Sequence, residues 1–339
     1  MLRVGIFSES VITFDGHGVH TAFIECQNLL RRAAEVQLVN PWELASSDVL
    51  HVHSAGPGAL ALLLSHTGPK VVSAHLTADS FLGSIQYASH FKGAIEKYLK
   101  FFYEQADLIL AVSPSTKSYL QEQLHIGKPV KVSPNMIDGT IISKLHVRRN
   151  ELRVKFHWLP QRPVILGVGQ IQPRKGIDDF VAVARAMPAA DFVWVGGFLF
   201  GPLSADRDRL QDLVQSAPRN LLFTGKLKRE LLYEYYVAAD VFLFPSHQET
   251  FGLAILEASM AGLPLVVRDL PSYRSVFGDS YIAVRDNDYT SAVSSLIDDR
   301  ERFGLYSKKA LAAAEDYRSE KYMDEIINLY MLAMRLRRG

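Results

Sequence analysis

A chain of 339 residues, 48% hydrophobic and 22% charged, has a globular composition and enough length for two domains of ordinary size. Its formal net charge of +1 gives no general attraction for nucleic acid, and its single cysteine, Cys26, excludes an internal disulfide and fits a reducing compartment. No apolar run reaches the roughly 20 residues that span a bilayer, and Met1 leads almost directly into a strand pattern with no room for a signal peptide. The expected location is therefore cytoplasmic, either free or peripheral on the inner face of the cell membrane.

The chain opens with an apolar strand at Leu2–Phe7, a loop holding Gly16 and Gly18, and an amphipathic helix over about His20–Arg32. Strand, glycine loop and helix is the order in which α/β proteins bring backbone close to a phosphate. Further strands are predicted at Val36–Val39, Val49–Val52, Val71–Ala74, Leu108–Val112 and Val130–Val132, with helical patterns between several of them. This alternation predicts a parallel sheet covered on both faces. His51 and His53 have the i,i+2 spacing that puts both on one strand face, but no third residue follows at a matching interval, so a structural role is expected. His75 ends the fourth strand, in Ser73-Ala74-His75-Leu76-Thr77, where a histidine suits a sugar hydroxyl or a reacting centre. His90–Tyr103 places Phe91, Ile95, Tyr98, Leu99 and Phe102 near one helical face beside Lys92, Lys97 and Lys100. That mixture suits either an interfacial membrane helix or an ordinary core-facing helix with solvated lysines.

The pattern breaks around Asn150–Pro163, a charged and then Pro-containing stretch, which sets the expected domain boundary near residue 155. A second series of strands follows at Val164–Val168, Phe192–Val195, Leu221–Phe223, Val241–Phe244, Leu265–Val267 and Ile282–Val284. Helices are expected at Gly176–Ala186, Ala205–Ser216 and Lys228–Ala238, and an amphipathic helix at Ser319–Arg338 is expected to pack back on the first domain. The domains then run 1–155, 156–318 and a terminal helix 319–339. Two doubly wound domains in tandem form a central cleft between the C-terminal ends of their sheets, where such sheets bind ligands.

One stretch of the second half carries the most chemistry. In PSHQETFGLAILE, residues 245–257, Thr250 offers a cap for a helix over Phe251–Ala261 that Gly262 and Pro264 would stop. Such a helix start suits an anion. Glu249 sits in the loop before it and Glu257 about two turns in, so the two carboxylates can meet two hydroxyl-rich pieces joined by a phosphate, as in a nucleotide sugar. Gly169–Gly176 follows the first strand of this half and presents Arg174 and Lys175, two cations able to neutralise a leaving diphosphate without a metal. The D-x-D pairs Asp206/Asp208 and Asp286/Asp288 fall at a polar helix start and in a turn, and read as solvated.

These residues resemble a family. Glu249 and Glu257 as E-x7-E, Gly169, Arg174, Lys175 and Gly176 as G-x4-R-K-G, and the early Gly16 and Gly18 are similar to the retaining GT-B glycosyltransferases of family four, over nearly the whole chain. Ser133–Asp138 resembles the family's N-G-I-D, with Met136 in place of the glycine, and Leu222–Gly225 resembles its segment beside the nucleotide base. The resemblance implies an α/β GT-B fold and a hexosyl transfer from UDP-glucose or UDP-galactose, with no metal and no further cofactor. It implies that Arg174 and Lys175 bind the donor diphosphate with Gly18 close by, and that Glu257 holds the ribose. It places Glu249 on the donor sugar with the Phe251, Gly252 and Leu253 amides, Lys226 and Leu227 near the base, and His75 near the sugar's C6 side.

Asp48–Pro57 and His75–Phe81 look like bacterial diacylglycerol glycosyltransferases, which implies a lipid acceptor such as diacylglycerol or glycosyl-diacylglycerol and a peripheral membrane contact through Phe91–Tyr103. The alternatives are a polysaccharide or soluble acceptor, a GT-B nucleotide-sugar epimerase, and a non-catalytic nucleotide-binding protein. The epimerase reading finds no match to that enzyme's acid/base carboxylates. The scaffold reading leaves Arg174, Lys175, Glu249 and Glu257 without a purpose.

Overall fold

Strands form where β-branched and aromatic residues run together without a turn former. In a computed structural model that describes residues 1–13, 18–86, 88–198 and 204–338, the first six are β1 Leu2–Phe7, β2 Val36–Leu38, β3 Val49–Val52, β4 Lys70–Ala74, β5 Leu108–Ala111 and β6 Val130–Val132. The next six are β7 Val164–Val168, β8 Asp191–Val195, β9 Leu221–Gly225, β10 Val241–Phe244, β11 Leu265–Arg268 and β12 Ile282–Val284. They build two six-stranded sheets, ordered β2-β1-β3-β4-β5-β6 and β12-β11-β10-β7-β8-β9. Each pairing in both sheets is parallel. Strands such as β3, β5, β7 and β10 are buried along their whole length, because helices cover both faces.

The chain divides into two compact units, Met1–Ser80 with Ser89–Asp138 and Tyr317–Gly339, and Phe81–Ala88 with Gly139–Asp316. The first unit thus ends at Asp138, before the charged stretch that the sequence suggests as a boundary. Helix Arg149–Lys155 groups with the second unit, and its charges explain why. Arg149 and Arg153 both bond Asp240, at 2.6 and 2.9 Å, and Asp240 also accepts from the Val164 amide at the start of β7. Arg153 further donates to the carbonyls of Ala238, Leu159 and Arg162. A stretch expected to hold the domain boundary is pinned by part-buried charge-assisted hydrogen bonds.

In the first unit Val4, Leu29, Leu30, Val49, Val71 and Leu108 share one core with Ile326, Tyr330 and Ala333 of the terminal helix Met323–Arg338. That helix is preceded by a 3-10 turn at Ser319–Tyr322. In the second unit Phe180 meets Phe192 and Trp194 edge to face at 5.6 and 5.0 Å, all three fully buried. Burying each such ring stabilises the fold by roughly 1.5–3 kcal/mol.

Helix Lys92–Tyr103 buries Leu99, Phe102 and Tyr103, and Tyr98 and Tyr103 donate to the carbonyls of Ala55 and Leu76. Much of its apolar face therefore belongs to the core. Phe91 and Phe101 remain 62% and 50% exposed beside the exposed Lys97 and Lys100, while Lys92 bonds Asp79 at 3.1 Å. Among the described residues no helix is long and apolar enough to cross a membrane.

Candidate functional site

The strand order locates a switch point in each unit. Counted within its own sheet, the second unit runs 3-2-1-4-5-6, so the winding order reverses between β7 and β10. Ligands of open parallel sheets sit beyond the strand ends at such a point. The two segments that leave β7 and β10 there are the Gly169–Gly176 loop and the Pro245–Gly252 loop.

These two loops are fastened to each other. Trp194 Nε1 donates to the Gly169 carbonyl at 2.9 Å, which anchors the first loop on β8. Pro173–Lys175 then forms a 3-10 turn, and Gly176 turns the chain into helix Ile177–Ala186 with φ of 70°. A Cβ at Gly176 would lie 2.3 Å from the Pro245 carbonyl oxygen, so only glycine allows this approach. Ser246 Oγ and the His247 amide both donate to the Arg174 carbonyl, at 3.0 and 2.7 Å.

The approach joins the three expected charges. Lys175 Nζ donates to Glu249 Oε1 in a short contact, and Arg174 Nη1 lies 3.7 Å from the same oxygen. Ser246 Oγ bonds it at 3.1 Å. The Lys175 ammonium also sits 5.1 Å from the centre of the Phe244 ring. Burial and the neighbouring Arg174 lower the Lys175 pKa to about 8, against the opposing pull of Glu249. Burial alone would raise Glu249, but Lys175 and Arg174 hold it below the ordinary carboxylate value.

Two further residues hold Arg174 that the sequence did not mark. Its Nε donates to Ser84 Oγ at 2.8 Å and to Gln172 Oε1 at 3.2 Å, while Nη1 donates to the Gln248 carbonyl. Ser84 reaches this site on a segment far from it in sequence, and no local pattern announces that placement.

Glu257 lies on helix Leu253–Met260, 5% exposed, accepting from Tyr236 Oη at 3.0 Å with Arg229 3.8 Å away. The helix begins two residues later than expected. Gly252, with φ of 97°, is its N-cap in place of Thr250, and Phe251 is buried ahead of it against Phe277. Leu253 is therefore the first helical residue, one of those whose amides have no intrahelical acceptor. Lys226 and Leu227 follow the end of β9, Lys226 exposed and Leu227 half-buried. Asp206 holds Arg209 together with Asp178, and Asp288 caps helix Tyr289–Ile297 through the Ser291 amide, so one aspartate of each D-x-D pair has structural work.

The first unit has its switch point between β1 and β3. Gly18 opens helix Gly18–Arg32; Gly16 lies outside the described residues. Beyond β1, the Glu9 carboxylate accepts from the Gly58 and Ala59 amides and so occupies the start of helix Pro57–Ser65. Around the ends of β3 and β4 three imidazoles gather, His51 within β3, His53 after it and His75 after β4. His53 Nδ1 and His75 Nε2 are 3.1 Å apart, and His51 bonds Tyr330 Oη through Nδ1 at 2.8 Å and Ser73 Oγ through Nε2 at 2.9 Å.

Burial drives His51 down to about 3 and His53 well below 6.5, so both are neutral at ordinary pH. Cys26 supplies what the i,i+2 spacing lacked: its thiol and one nitrogen of each of His51 and His53 lie within 4.8 Å of one another. Both nitrogens of His51 are already hydrogen-bonded and burial pushes the Cys26 thiol up to about 12. The cluster is therefore described as a hydrogen-bonded one.

The chain is similar in sequence and in fold to known proteins. Residues 148–310 match the family "Glycosyl transferases group 1" and residues 9–140 match "Glycosyltransferase Family 4". The alpha-galactosylglucosyldiacylglycerol synthase of Streptococcus pneumoniae is 32% identical over 292 residues, which cover 83% of this chain and 76% of that one. The processive diacylglycerol alpha-glucosyltransferase of Acholeplasma laidlawii is 28% identical over 275 residues, 80% of each chain. Among solved structures, sucrose-phosphate synthase from Thermosynechococcus elongatus superposes with a TM-score of 0.80 at 16% identity, over 98% of this chain and 99% of that one. Anabaena Alr3699/HepE in complex with UDP-glucose gives 0.77 at 16% identity, over 97% and 99%. The two parallel sheets, the matches over both halves and the relative that is 32% identical place this chain in the GT-B glycosyltransferases, with a group 1 and a family 4 portion.

Proposed function

We propose that this glycosyltransferase moves a hexose from a UDP-sugar to a hydroxyl of a membrane lipid, diacylglycerol or a glycosyl-diacylglycerol, with retention at C1 and without a metal. The observation that carries the donor half is the Lys175–Glu249–Arg174 cluster at the second unit's switch point. Two cations, Lys175 buried and Arg174 half-buried, held by one carboxylate have surplus positive charge for a diphosphate. In the free protein Glu249 balances part of that charge; with donor bound, the diphosphate takes Lys175 and Arg174 and Glu249 turns to the sugar's hydroxyls. Glu257, oriented by Tyr236, faces the ribose. Lys226 and Leu227 are assigned to the base, Gly18 and the Phe251–Leu253 backbone to the diphosphate and sugar, and Gly16 to donor binding with Gly18. His75 is assigned to the transferred sugar.

The reaction is a loosening of the C1–O bond to the diphosphate, with attack by the acceptor oxygen on the same face. Arg174 and Lys175 stabilise the developing charge, and the leaving phosphate oxygen takes the acceptor's proton. A UDP-hexose is α at C1, and the Acholeplasma laidlawii relative is named an alpha-glucosyltransferase, so an α product here means net retention. A paired-carboxylate double displacement is a poor fit, because the family pattern assigns Glu249 to the sugar's hydroxyls and Glu257 to the ribose and leaves no carboxylate as the nucleophile at C1.

The lipid acceptor is supported by the two diacylglycerol-named relatives and by Phe91 and Phe101, exposed beside Lys97 and Lys100. A second reading keeps the chemistry and changes the acceptor: an N-acetyl-alpha-D-glucosaminyl L-malate synthase of Bacillus anthracis is 25% identical over 302 residues. The test is UDP release from a panel of UDP-sugars with diacylglycerol liposomes, glycosyl-diacylglycerol liposomes, soluble acceptors or none, in buffer with a metal chelator. Lipid-dependent release with a new glycolipid is expected. Release that ignores lipid and follows a soluble acceptor discards the lipid reading, and release abolished by the chelator discards metal independence.

A further inference from the structure

We propose that Ser84 is a positioning residue for Arg174: it takes the guanidinium at Nε and so turns the Nη end toward the donor diphosphate. That role rests on the assignment of Arg174 to the diphosphate and specifies how the arginine is aimed.

Ser84 arrives on a strap. Phe81–Ala88 groups with the second unit, although the chain on either side of it belongs to the first. Backbone holds the strap in place. The Ala205 amide donates to the Ser84 carbonyl at 3.1 Å, and Ile85 forms an isolated antiparallel bridge with Ser204. Gly83 runs so close that a Cβ on it would stand 2.5 Å from Arg174 Cβ. None of these attachments uses the Ser84 hydroxyl.

The hydroxyl closes a ring of three groups. Arg174 Nε donates to Ser84 Oγ at 2.8 Å, Ser84 Oγ donates to Gln172 Oε1 at 3.1 Å, and Nε reaches the same Oε1 at 3.2 Å. An arginine Nε can only donate, so the direction of the ring is set. Ser84 is 5% exposed and Gln172 fully buried, which keeps water from competing for these bonds. A hydrogen bond from a charged donor is among the stronger ones.

The far end of the guanidinium remains for a ligand. Nη1 donates to the Gln248 carbonyl at 3.2 Å and lies 3.7 Å from Glu249 Oε1, and among the described residues none bonds Nη2. With Nε spent on Ser84 and Gln172, a phosphate meets Arg174 through its Nη atoms. A lysine has one nitrogen and cannot divide these tasks.

The test is UDP binding by the full chain, measured by calorimetry across pH, which needs no acceptor. Ser84→Ala keeps the backbone attachments of the strap and is expected to bind UDP about 10-fold more weakly, as for loss of one charge-assisted hydrogen bond. A second readout follows Lys175. Burial and the adjacent Arg174 lower its pKa to about 8, so native affinity should fall as pH rises through that value, with Lys175→Arg as the profile lacking this group. In Ser84→Ala the guanidinium is no longer held beside Lys175, and the limb is expected to move to higher pH. Ser84→Thr keeps a hydroxyl and is expected to restore both affinity and limb.

Arg174→Ala is expected to weaken UDP binding, and Ser84→Ala added to it to weaken binding no further. Native affinity in Ser84→Ala, a weakened affinity with the limb unmoved, or an undiminished loss in the Arg174→Ala background overturns the role of Ser84. So does a folded Ser84→Thr that behaves as Ser84→Ala does. Arg174→Ala that binds UDP as the native chain does ends the diphosphate assignment itself, and the role of Ser84 with it.

Discussion

The two units share one construction and differ in what stands at the switch point. Both are six-stranded parallel sheets whose loops leave the C-terminal strand ends. The second unit places Lys175, Arg174 and Glu249 there, buried charges in contact. The first places His51, His53 and His75 around the ends of β3 and β4, with His51 and His53 held neutral by burial, His51 joined to two hydroxyls and His53 to His75, and fills the nearby helix start with its own Glu9 carboxylate. A buried site with excess positive charge discriminates for phosphate. A buried site of neutral donors and acceptors discriminates for hydroxyl geometry, because a charge brought there finds no counter-charge. The same scaffold is thus specialised by polarity.

The strongest way to break this comparison is to remove a cation. Arg174→Ala is expected to lower kcat by ~10²–10³-fold, about 3–4 kcal/mol of transition-state stabilisation, as read by UDP release in steady state. Unchanged turnover would end the diphosphate assignment. Next in size is Gly176→Ala. Its φ of 70° and the Pro245 contact leave no room for a side chain, so the second unit should lose at least about 1–3 kcal/mol, seen as earlier thermal unfolding of that unit with the first unit's transition in place.

Tyr236→Phe removes the hydroxyl that donates to the buried Glu257 carboxylate, from which Arg229 lies 3.8 Å away. The expected cost is about 1.5–3 kcal/mol, appearing as a raised KM for the UDP-sugar if Glu257 faces the ribose. A change in kcat alone would move Glu257 to another role. Tyr330→Phe, which takes the partner from His51 Nδ1, is expected to cost about 1 kcal/mol of stability and to leave donor KM unchanged. A raised donor KM there would dissolve the division of labour between the units.

The smallest effect is a pH profile. Lys175 titrates near 8, below the ordinary lysine value of 10.5, so it is charged below that pH and neutral above. kcat/KM should fall as pH rises through about 8. Bound diphosphate favours the charged form, so the same limb in kcat should lie higher. Lys175→Arg should abolish the limb. For stability the sign is opposite: between about 8 and 10.5 the unfolded chain holds a proton that folded Lys175 has released, so this residue makes stability rise with pH across that window. Glu249 acts at the other end, its contribution present above the ordinary carboxylate value and lost as pH falls through its lowered one.

Much of this was legible in the chain, for local reasons. Buried parallel strands such as β5, β7 and β10 are continuous apolar runs, and each of the twelve strands falls on a predicted stretch. Arg174, Lys175, Glu249 and Glu257 stand in short motifs whose spacing survives folding. Misreadings arose where a local signal had two physical solutions. Thr250 is a good cap, but Gly252 reaches a positive φ that threonine does not, and the helix starts there. Residues 149–162 are charged as a linker is charged, but Asp240 gathers their arginines.

What the chain order alone could supply is the alternation of elements and the chemistry waiting at their ends, because those depend on neighbours within a few residues. The pairings that make sites belong to the folded state. Lys175 meets Glu249 across 74 residues, Arg174 meets Ser84 across 90, and His51 meets Tyr330 across 279. No period or spacing encodes contacts at such separations. They follow from strand order, from one glycine that lets two loops touch, and from a terminal helix that returns to the first sheet.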